Sequence, residues 1–269
     1  MKFDGIIFDL DGTLWDSTAE VAKTWSYVIS KYNLNRKEIT VEDLKPCMGK
    51  LLNEIAEILL PNLDEEMQMK IMNECYKYEN EYLAKYGATL YDNLEETLKV
   101  LVKDYKLFIV SNCQDGYIES FFKSHGLNKY FIDYECPGRT ALPKAENIKL
   151  IVERNNLKNP VYVGDTQGDA NSAKLANVPF IYAEYGFGEV KDFQDKIESF
   201  ENILMITKKQ LKDDIITYDI IKYKDEDGKI IEYVEVTLVD RIIDVYMDTK
   251  EVNIGILANK IIEDNLYEE

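Results

Sequence analysis

The chain has 269 residues, of which 46% are hydrophobic and 12% aromatic, enough for one large folded domain or two modest ones. Its 50 acidic residues outnumber its 32 lysines and arginines, and the formal charge is -18. A chain this acidic lacks the basic surface that binds nucleic acid backbones or anionic membranes. We therefore expect the protein to bind neither nucleic acids nor membranes. Any phosphate that it binds must be held by local cations, backbone N–H groups or a metal.

The scarce reactive residues narrow the chemistry further. The four cysteines are far apart and form no C-x-x-C pair, which favours free thiols in a reducing cytosol over disulfides or a zinc site. The first residues turn acidic too soon for a signal peptide, and no uncharged apolar run reaches the ~18 residues of a membrane span. These features predict a cytoplasmic protein. The one histidine, His125, precedes Gly126 at a predicted helix end, which disfavours histidine-based catalysis.

Short apolar runs alternate with amphipathic stretches through much of the chain. Runs that are apolar on both faces predict the buried strands of a parallel sheet, and they cover residues 6–8, 107–110, 160–163 and 179–182. Amphipathic stretches predict helices over residues 93–105, 115–125, 145–155 and 167–176. The alternation predicts an α/β fold with a Rossmann-like parallel sheet as its core.

One long segment interrupts this alternation after the first strand. Residues 16–87 read as helical, with predicted helices at 18–32, 51–60 and 65–86 and with Asp16-Ser17 as the N-cap of the first. We interpret this segment as an all-helical cap domain inserted into a core that comprises residues 1–15 and 88–206.

The C-terminal residues 213–269 are predicted to form a small α+β extension of unknown role. Two runs rich in Ile, Val, Tyr and Thr, at 215–224 and 229–239, flank Asp225-Glu226-Asp227-Gly228, which is typical of a β-hairpin. A further apolar run at 242–247 and a helix at 256–264 complete the extension. Its protein partners stay open.

Two pairs of carboxylates follow predicted strands. Asp9 and Asp11 come directly after the first strand, and their spacing puts both on one side of an extended chain. Asp165 follows the third strand, and Asp169 lies one helical turn further on. Parallel sheets bind ligands at the carboxyl ends of their strands. Because so much buried negative charge is costly alone, the two pairs predict a hard divalent cation, Mg²⁺ above all.

The first pair, Asp9 and Asp11, also resembles a turn and a calcium loop. The dipeptide Asp11-Gly12 is common in hairpin turns, but the chain continues into a helix instead of a returning strand. An EF-hand calcium loop has similar carboxylate spacing, but Gly12 comes two residues too early for that pattern. The sequence therefore favours a metal-assisted site over both the turn and the calcium loop.

Two further elements are expected at the same edge of the sheet. Ser111-Asn112 ends the second strand and offers a hydroxyl group and backbone N–H groups. Lys144 stands at the start of a predicted helix, where the helix dipole disfavours a cation. It therefore either meets an anion or is an ordinary solvated lysine.

Four short motifs resemble, in order, those of the haloacid dehalogenase superfamily: Asp9-x-Asp11-Gly12-Thr13-Leu14, Ser111, Lys144 and Gly164-Asp165-x-x-x-Asp169. The resemblance covers residues 1–205, and the helical segment is similar to the C1-type cap of the phosphoglycolate-phosphatase-like branch. Many relatives have Gly-Lys-Pro in the third motif, whereas this chain has Ala141-Leu142-Pro143-Lys144. The position of Lys144 within the third motif therefore departs from the family pattern.

The resemblance implies Mg²⁺-dependent hydrolysis of a small phosphomonoester, such as phosphoglycolate, a sugar phosphate or a nucleotide. Asp9 is implied as the nucleophile that forms an aspartyl-phosphate, and Asp11 as the acid and base that serves the leaving oxygen and then water. Ser111, Asn112 and Lys144 are the implied phosphate contacts, of which Ser111 and Lys144 also assist catalysis.

The same resemblance implies a metal site. Its ligands are the Asp9 side chain, the Asp11 backbone carbonyl and Asp165. Asp169 either binds the metal directly or contacts the residues that do. An acid at Asp11 is absent from dehalogenases, whose halide leaving group needs no proton, so transfer of phosphate is implied instead.

Residues of the helical segment are expected to select the substrate. Met48-Gly49-Lys50 falls where relatives place a substrate-contacting loop, so Gly49 and Lys50 are possible contacts, although a solvated surface position is favoured for Lys50. Two alternatives to the phosphatase remain. One is a sugar phosphomutase of the β-phosphoglucomutase kind, and the other is a non-catalytic binding or regulatory protein that uses the C-terminal extension.

Overall fold

The computed structural model describes residues 3–34, 36–47, 49–50, 52–206, 215–224, 230–238, 242–245 and 260. Contacts along the chain divide it into a larger unit, Phe3–Glu201, and a smaller one that includes Asn202–Glu269. Among the described residues, every helix is too short or too polar to cross a membrane.

The larger unit is built on a parallel sheet. Its six strands are β1 (Gly5–Phe8), β4 (Lys106–Val110), β5 (Asp133–Glu135), β6 (Pro160–Gly164), β7 (Phe180–Ala183) and β8 (Asp195–Ile197). Their order across the sheet is β5-β4-β1-β6-β7-β8, so β1 lies between β4 and β6. Ile7 is in register with Phe108 on one side and Tyr162 on the other, and all three are buried. The predicted α/β fold with a Rossmann-like sheet is confirmed.

Helices around this sheet bury its apolar side chains. They are α5 (Leu94–Leu101), α6 (Tyr117–His125), α7 (Pro137–Thr140), α8 (Lys144–Arg154) and α9 (Gln167–Leu175), with short 3₁₀ turns at Asn128–Tyr130 and Phe200–Asn202. Ile148 and Ile151 of α8 pack in one cluster with Ile7, while Phe8 on the next strand position packs its ring against Phe131. Successive strand residues thus fill opposite faces of the sheet.

The segment between β1 and β4 is mostly helical. It contains α1 (Thr18–Ser30), α2 (Val41–Leu44), a 3₁₀ turn at Lys45–Cys47, α3 (Leu52–Leu59) and α4 (Glu65–Tyr86). These helices bury a hydrophobic cluster of their own, centred on residues such as Trp25, Leu59 and Met72. Where the chain enters and leaves the segment, β2 (Trp15–Asp16) pairs with β3 (Thr89–Leu90) in an antiparallel ribbon. The exact domain boundaries remain a prediction.

Several local predictions differ from the structure. The strands β5 and β8 were missed because edge strands of three residues with charged side chains lack the apolar pattern of buried ones. The helix predicted from residue 115 begins at Tyr117, since its N-cap Gly116 adopts a φ of 86° that starts the helix later. Ser17 is the N-cap residue of α1, but its side chain makes no capping bond; Asp16 Oδ1 accepts from the Thr18 N–H at 2.9 Å instead.

The smaller unit contains an antiparallel three-stranded sheet in the order β11-β10-β9. These strands are β9 (Ile215–Lys224), β10 (Ile230–Leu238) and β11 (Ile242–Val245). The predicted pairing of the first two runs is confirmed. The predicted turn at 225–228 and, apart from Lys260, the predicted helix at 256–264 lie outside the described residues.

Two isoleucines of α3 test how much the helical cluster contributes to stability. Ile55 is 7% exposed and belongs to the buried cluster, whereas Ile58, one turn away, is 42% exposed. We expect Ile55→Ala to lower the free energy of unfolding by about 2–5 kcal/mol, because it removes buried carbon and leaves a cavity. The matched Ile58→Ala change should cost less than about 1 kcal/mol. Urea unfolding followed by circular dichroism measures both, and equal losses would contradict this packing.

Candidate active site

Three neighbouring strands deliver the predicted polar residues to one edge of the sheet. Asp9 follows β1, Ser111 follows β4 and Asp165 follows β6. The chain runs from β1 out to β4 on one side and later returns to β6 on the other side. In open α/β sheets, the crevice at such a reversal of strand order is where ligands bind. The topology therefore gathers these residues beside one crevice.

Lys144 is the cation of this site. It is the first residue of α8, and its side chain is only 3% exposed. Its Nζ lies 2.9 Å from Asp9 Oδ1 and 2.6 Å from Asp169 Oδ1, so it donates to two carboxylates at once. The departure around Ala141-Leu142-Pro143 thus leaves a lysine in contact with the first and fourth motifs, and a solvated surface position for Lys144 is wrong.

Three buried carboxylates surround this lysine. Ligand oxygens of Asp9, Asp165 and Asp169 all lie within 4.8 Å of one another. Burial raises the pKa of Asp9 to about 7; the Lys144 ammonium opposes the rise and Asp169 adds to it. Burial also raises the pKa of Asp165 well above its usual range, and the charges of Asp169 and Asp9 raise it further. Among the described residues, Lys144 is the cation bonded to this cluster, so its single charge cannot balance the three carboxylates when all of them are ionised.

This donor set fits Mg²⁺. Carboxylate oxygens are the hard ligands that this ion prefers. Burial and, after it, mutual repulsion raise the pKa values of Asp9 and Asp165, and a divalent cation would offset both effects. Burial of all three carboxylates would also exclude competing water from the ligands. The structure thus contains an acidic group able to hold a metal.

Asp169 also fixes the start of α9. Its Oδ2 accepts hydrogen bonds from the Thr166 N–H at 3.0 Å and from Thr166 Oγ1 at 2.7 Å, which closes a capping box. Its Oδ1 accepts from Lys144. Because both oxygens have strong donors, Asp169 is better suited to orient Lys144 than to bind a metal directly.

Close backbone packing holds Asp165 in position. Asp165 Oδ2 accepts a hydrogen bond from the Phe187 N–H at 2.7 Å. Gly12 approaches the same carboxylate with a φ of +81°, and a Cβ atom there would lie 2.2 Å from Asp165 Oδ2. Only glycine meets both the steric and the conformational requirement at position 12.

Asp11 occupies a different environment from Asp9. Its Oδ1 accepts hydrogen bonds from Trp15 Nε1 at 2.8 Å, Ser17 Oγ at 2.6 Å and Tyr117 Oη at 2.8 Å. Burial raises the pKa of Asp11, and these three donors oppose the rise. Sequence reasoning missed the three donors. The pattern around Ser17 indicates only a helix cap, and Tyr117 is 106 residues away along the chain.

The remaining predicted residues lie around the same edge. Ser111 is 3% exposed, and its hydroxyl group opposes the rise in the pKa of Asp9 that burial causes. Asn112 donates from Nδ2 to the Gly49 carbonyl at 2.9 Å, so the loop of the helical segment reaches the end of β4. Lys50, next in that loop, is half-buried and lines a cavity of about 450 Å³.

Comparison with known proteins bears on this arrangement. The family model of the haloacid dehalogenase-like hydrolases matches residues 6–183, more than half of the chain. A phosphoglycolate phosphatase from Photobacterium profundum is 26% identical over 204 residues, which are 69% of this chain and 86% of that protein. The pyrophosphatase PpaX from Listeria welshimeri is 28% identical over 183 residues, 65% of this chain and 80% of its own.

The fold has solved counterparts as well. A haloacid dehalogenase-like hydrolase from Streptococcus pneumoniae superposes with a TM-score of 0.67 at 19% identity. The match covers 76% of this chain and 98% of that one. The family match confirms the resemblance drawn from the four motifs, and curated proteins similar to this chain include phosphatases. The chain therefore belongs to the haloacid dehalogenase-like hydrolase family and is an enzyme.

Proposed function

We propose that the enzyme hydrolyses a small phosphomonoester with the help of Mg²⁺ and through an aspartyl-phosphate on Asp9. The observation that carries this proposal is the contrast between two carboxylates two residues apart. Asp9 bonds Lys144 and lies in the acidic cluster, whereas Asp11 is held by three uncharged donors. Two carboxyl groups in such different surroundings can take the separate roles of nucleophile and acid.

The first step forms a bond between an Asp9 carboxylate oxygen and phosphorus. The bond from phosphorus to the ester oxygen breaks, and its electron pair passes to the leaving oxygen, which takes a proton from Asp11. All three hydrogen bonds to Asp11 go to Oδ1, so we assign the transferred proton to Oδ2. The alcohol leaves and Asp9 carries the phosphoryl group.

The second step returns the enzyme to its starting state. A water molecule gives a proton to the Asp11 carboxylate and attacks phosphorus, and the bond to Asp9 breaks with its electron pair on the carboxylate. Inorganic phosphate then leaves. The donors at Trp15, Ser17 and Tyr117 hold Asp11 in one orientation for both transfers.

Lys144 and Ser111 are suited to the phosphoryl group itself. Lys144 offsets the repulsion between the Asp9 carboxylate and an incoming dianion, and the Ser111 hydroxyl lies beside the same carboxylate. We assign Asn112 a phosphate contact through its backbone N–H, because its side chain is bonded to Gly49.

Mg²⁺ would be held by the side chains of Asp9 and Asp165 and by the backbone carbonyl of Asp11, with Asp169 behind them orienting Lys144. When bound, the ion supplies positive charge that balances the carboxylates and the phosphate oxygens. Hydrolysis to inorganic phosphate separates this function from the phosphomutase alternative, which would yield a new sugar phosphate instead.

Removal of the nucleophile is the first test. Asp9→Asn should lower kcat for hydrolysis of a chromogenic aryl phosphate at least about 10³-fold, since an amide cannot form the acyl-phosphate. Phosphate release with Mg²⁺ present measures the loss, and the exposed Asp92→Asn provides a matched control that keeps its activity. Retention of normal turnover in Asp9→Asn would exclude this mechanism.

A change at Asp11 should separate the two steps. An aryl oxide leaves without a proton, so Asp11→Asn should still form the phosphoenzyme from an aryl phosphate but break it down slowly. Stopped-flow absorbance is expected to record a burst of about one aryl oxide per enzyme followed by a slow phase. The absence of a burst, with kcat unchanged, would contradict the acid and base role.

Metal binding can be measured without turnover. Mg²⁺ at about 100 times its dissociation constant should stabilise the wild type by about 2.7 kcal/mol against unfolding. Asp165→Asn should lose this gain, because it removes a ligand, although its metal-free form should be no less stable once a repelling carboxylate is gone. Thermal unfolding with Mg²⁺ or with a chelator compares the two proteins, and an equal gain in both would remove Asp165 from the site.

A further inference from the structure

A small cavity lies beside the proposed acid. It has a volume of about 50 Å³ and is lined by Asp11 together with residues of the helical segment and of the loop after β4, among them Trp25, Tyr76, Glu79 and Gln114. Such a volume holds a few water molecules or a short chain of carbon and oxygen atoms. The acid role proposed for Asp11 would bring the atoms attached to the leaving oxygen into this cavity.

Glu79 is the second carboxyl group of the cavity. It lies on α4 and is 3% exposed. Trp25 Nε1 donates to Glu79 Oε2 at 2.5 Å, and Gln114 lines the same cavity. Burial raises the pKa of Glu79 to about 8, with a further rise caused by the charge of Asp11. Two carboxyl groups thus face one small space.

The described residues that line this cavity include no lysine, arginine or histidine. Lys144 is bonded to Asp9 and Asp169 and does not line it. Lys50 lines the wider cavity, which shares Tyr76 and Gln114 with the small one. A carboxylate or phosphate attached next to the leaving oxygen would therefore be buried without a cationic partner among the described residues, whereas an ammonium group could pair with Glu79 once that carboxyl group ionises.

We propose that Glu79 is a specificity-determining residue that restricts the substrate to phosphomonoesters whose alcohol carries no negative charge near the ester oxygen. This inference rests on the proposed function. Glu79 would accept a hydrogen bond from a hydroxyl or an ammonium group two carbons from the ester oxygen, as in a polyol phosphate. Glycolate and phosphate, the groups that would leave from phosphoglycolate and from pyrophosphate, are both anions. The cavity thus favours a substrate class different from those that the names of the similar proteins indicate.

Three two-carbon substrates test the inference because they differ in charge and little in size. They are 2-hydroxyethyl phosphate, phosphoethanolamine and 2-phosphoglycolate, and kcat/KM is measured by phosphate release with Mg²⁺. We expect the hydroxyl and ammonium compounds to exceed phosphoglycolate at least about tenfold, since only phosphoglycolate brings into the cavity an anion that lacks a cationic partner among its described lining residues.

Glu79→Gln assigns the preference to this residue. Glutamine keeps an acceptor for Trp25 but cannot ionise to pair with an ammonium group, so the preference for phosphoethanolamine over phosphoglycolate should shrink about tenfold. Glu81→Gln, on the same helix but exposed, is the matched control and should keep the wild-type preference. Thermal unfolding of each variant checks that the fold is retained.

Several results would overturn the inference. It fails if phosphoglycolate equals or exceeds the other two in the wild type, if phosphoethanolamine is rejected as strongly as phosphoglycolate, or if Glu79→Gln keeps the full preference. An aryl phosphate assay distinguishes this from failure of the proposed function, because an active enzyme with the wrong order of substrates refutes only the role of Glu79. If the three compounds are not turned over by an enzyme that cleaves the aryl phosphate, they are compared as its inhibitors, and tightest binding of phosphoglycolate refutes it.

Discussion

The site depends on one buried ammonium group shared between two carboxylates. Lys144 Nζ bonds Asp9 and Asp169, and Asp165 brings a third carboxylate within reach of the same cluster. One positive charge against three buried acids leaves a deficit that a divalent cation would correct. A bound divalent cation, together with Lys144, would also let an overall acidic protein accept a phosphate at this point.

The fold supports this cluster with features that also stabilise the chain. Asp169 closes the capping box of α9 with one oxygen and holds Lys144 with the other. Gly12 provides the turn after β1 and leaves space for the Asp165 carboxylate. The ribbon of β2 and β3 joins the ends of the helical segment close to Trp15, whose indole bonds Asp11. Residues that we propose for the chemistry thus also stabilise the local fold.

Features with a local signal could be predicted from the sequence. Buried strands are recognisable as short apolar runs, and Asp9, Asp11 and Asp165 closely follow two of them. The α/β fold was predicted on this basis. The environment of Lys144 could not be predicted, because the sequence of a helix start is the same whether its lysine is solvated or paired with an anion. The structure decides between the two, since Lys144 is buried and paired with Asp9 and Asp169.

Features that depend on contacts between distant residues could not be predicted in this way. Tyr117 donates a hydrogen bond to Asp11 because α6 packs beside β2. No local sequence pattern indicates this packing. Glu79 is one of several glutamates on α4, and its burial and its Trp25 partner distinguish it from exposed Glu81. Edge strands such as β8 lack the apolar pattern of buried strands because their charged side chains can remain exposed to solvent.

The covalent phosphoenzyme is the central claim, and trapping it is the most direct measurement. Enzyme in steady-state turnover of an aryl phosphate with Mg²⁺ is quenched in acid, digested and analysed by mass spectrometry. We expect a phosphoryl group on the peptide that contains Asp9, located at Asp9 by fragmentation and absent when substrate is omitted. A phosphoryl group on a different residue, in an enzyme that turns over normally, would contradict the assignment of Asp9 as the nucleophile.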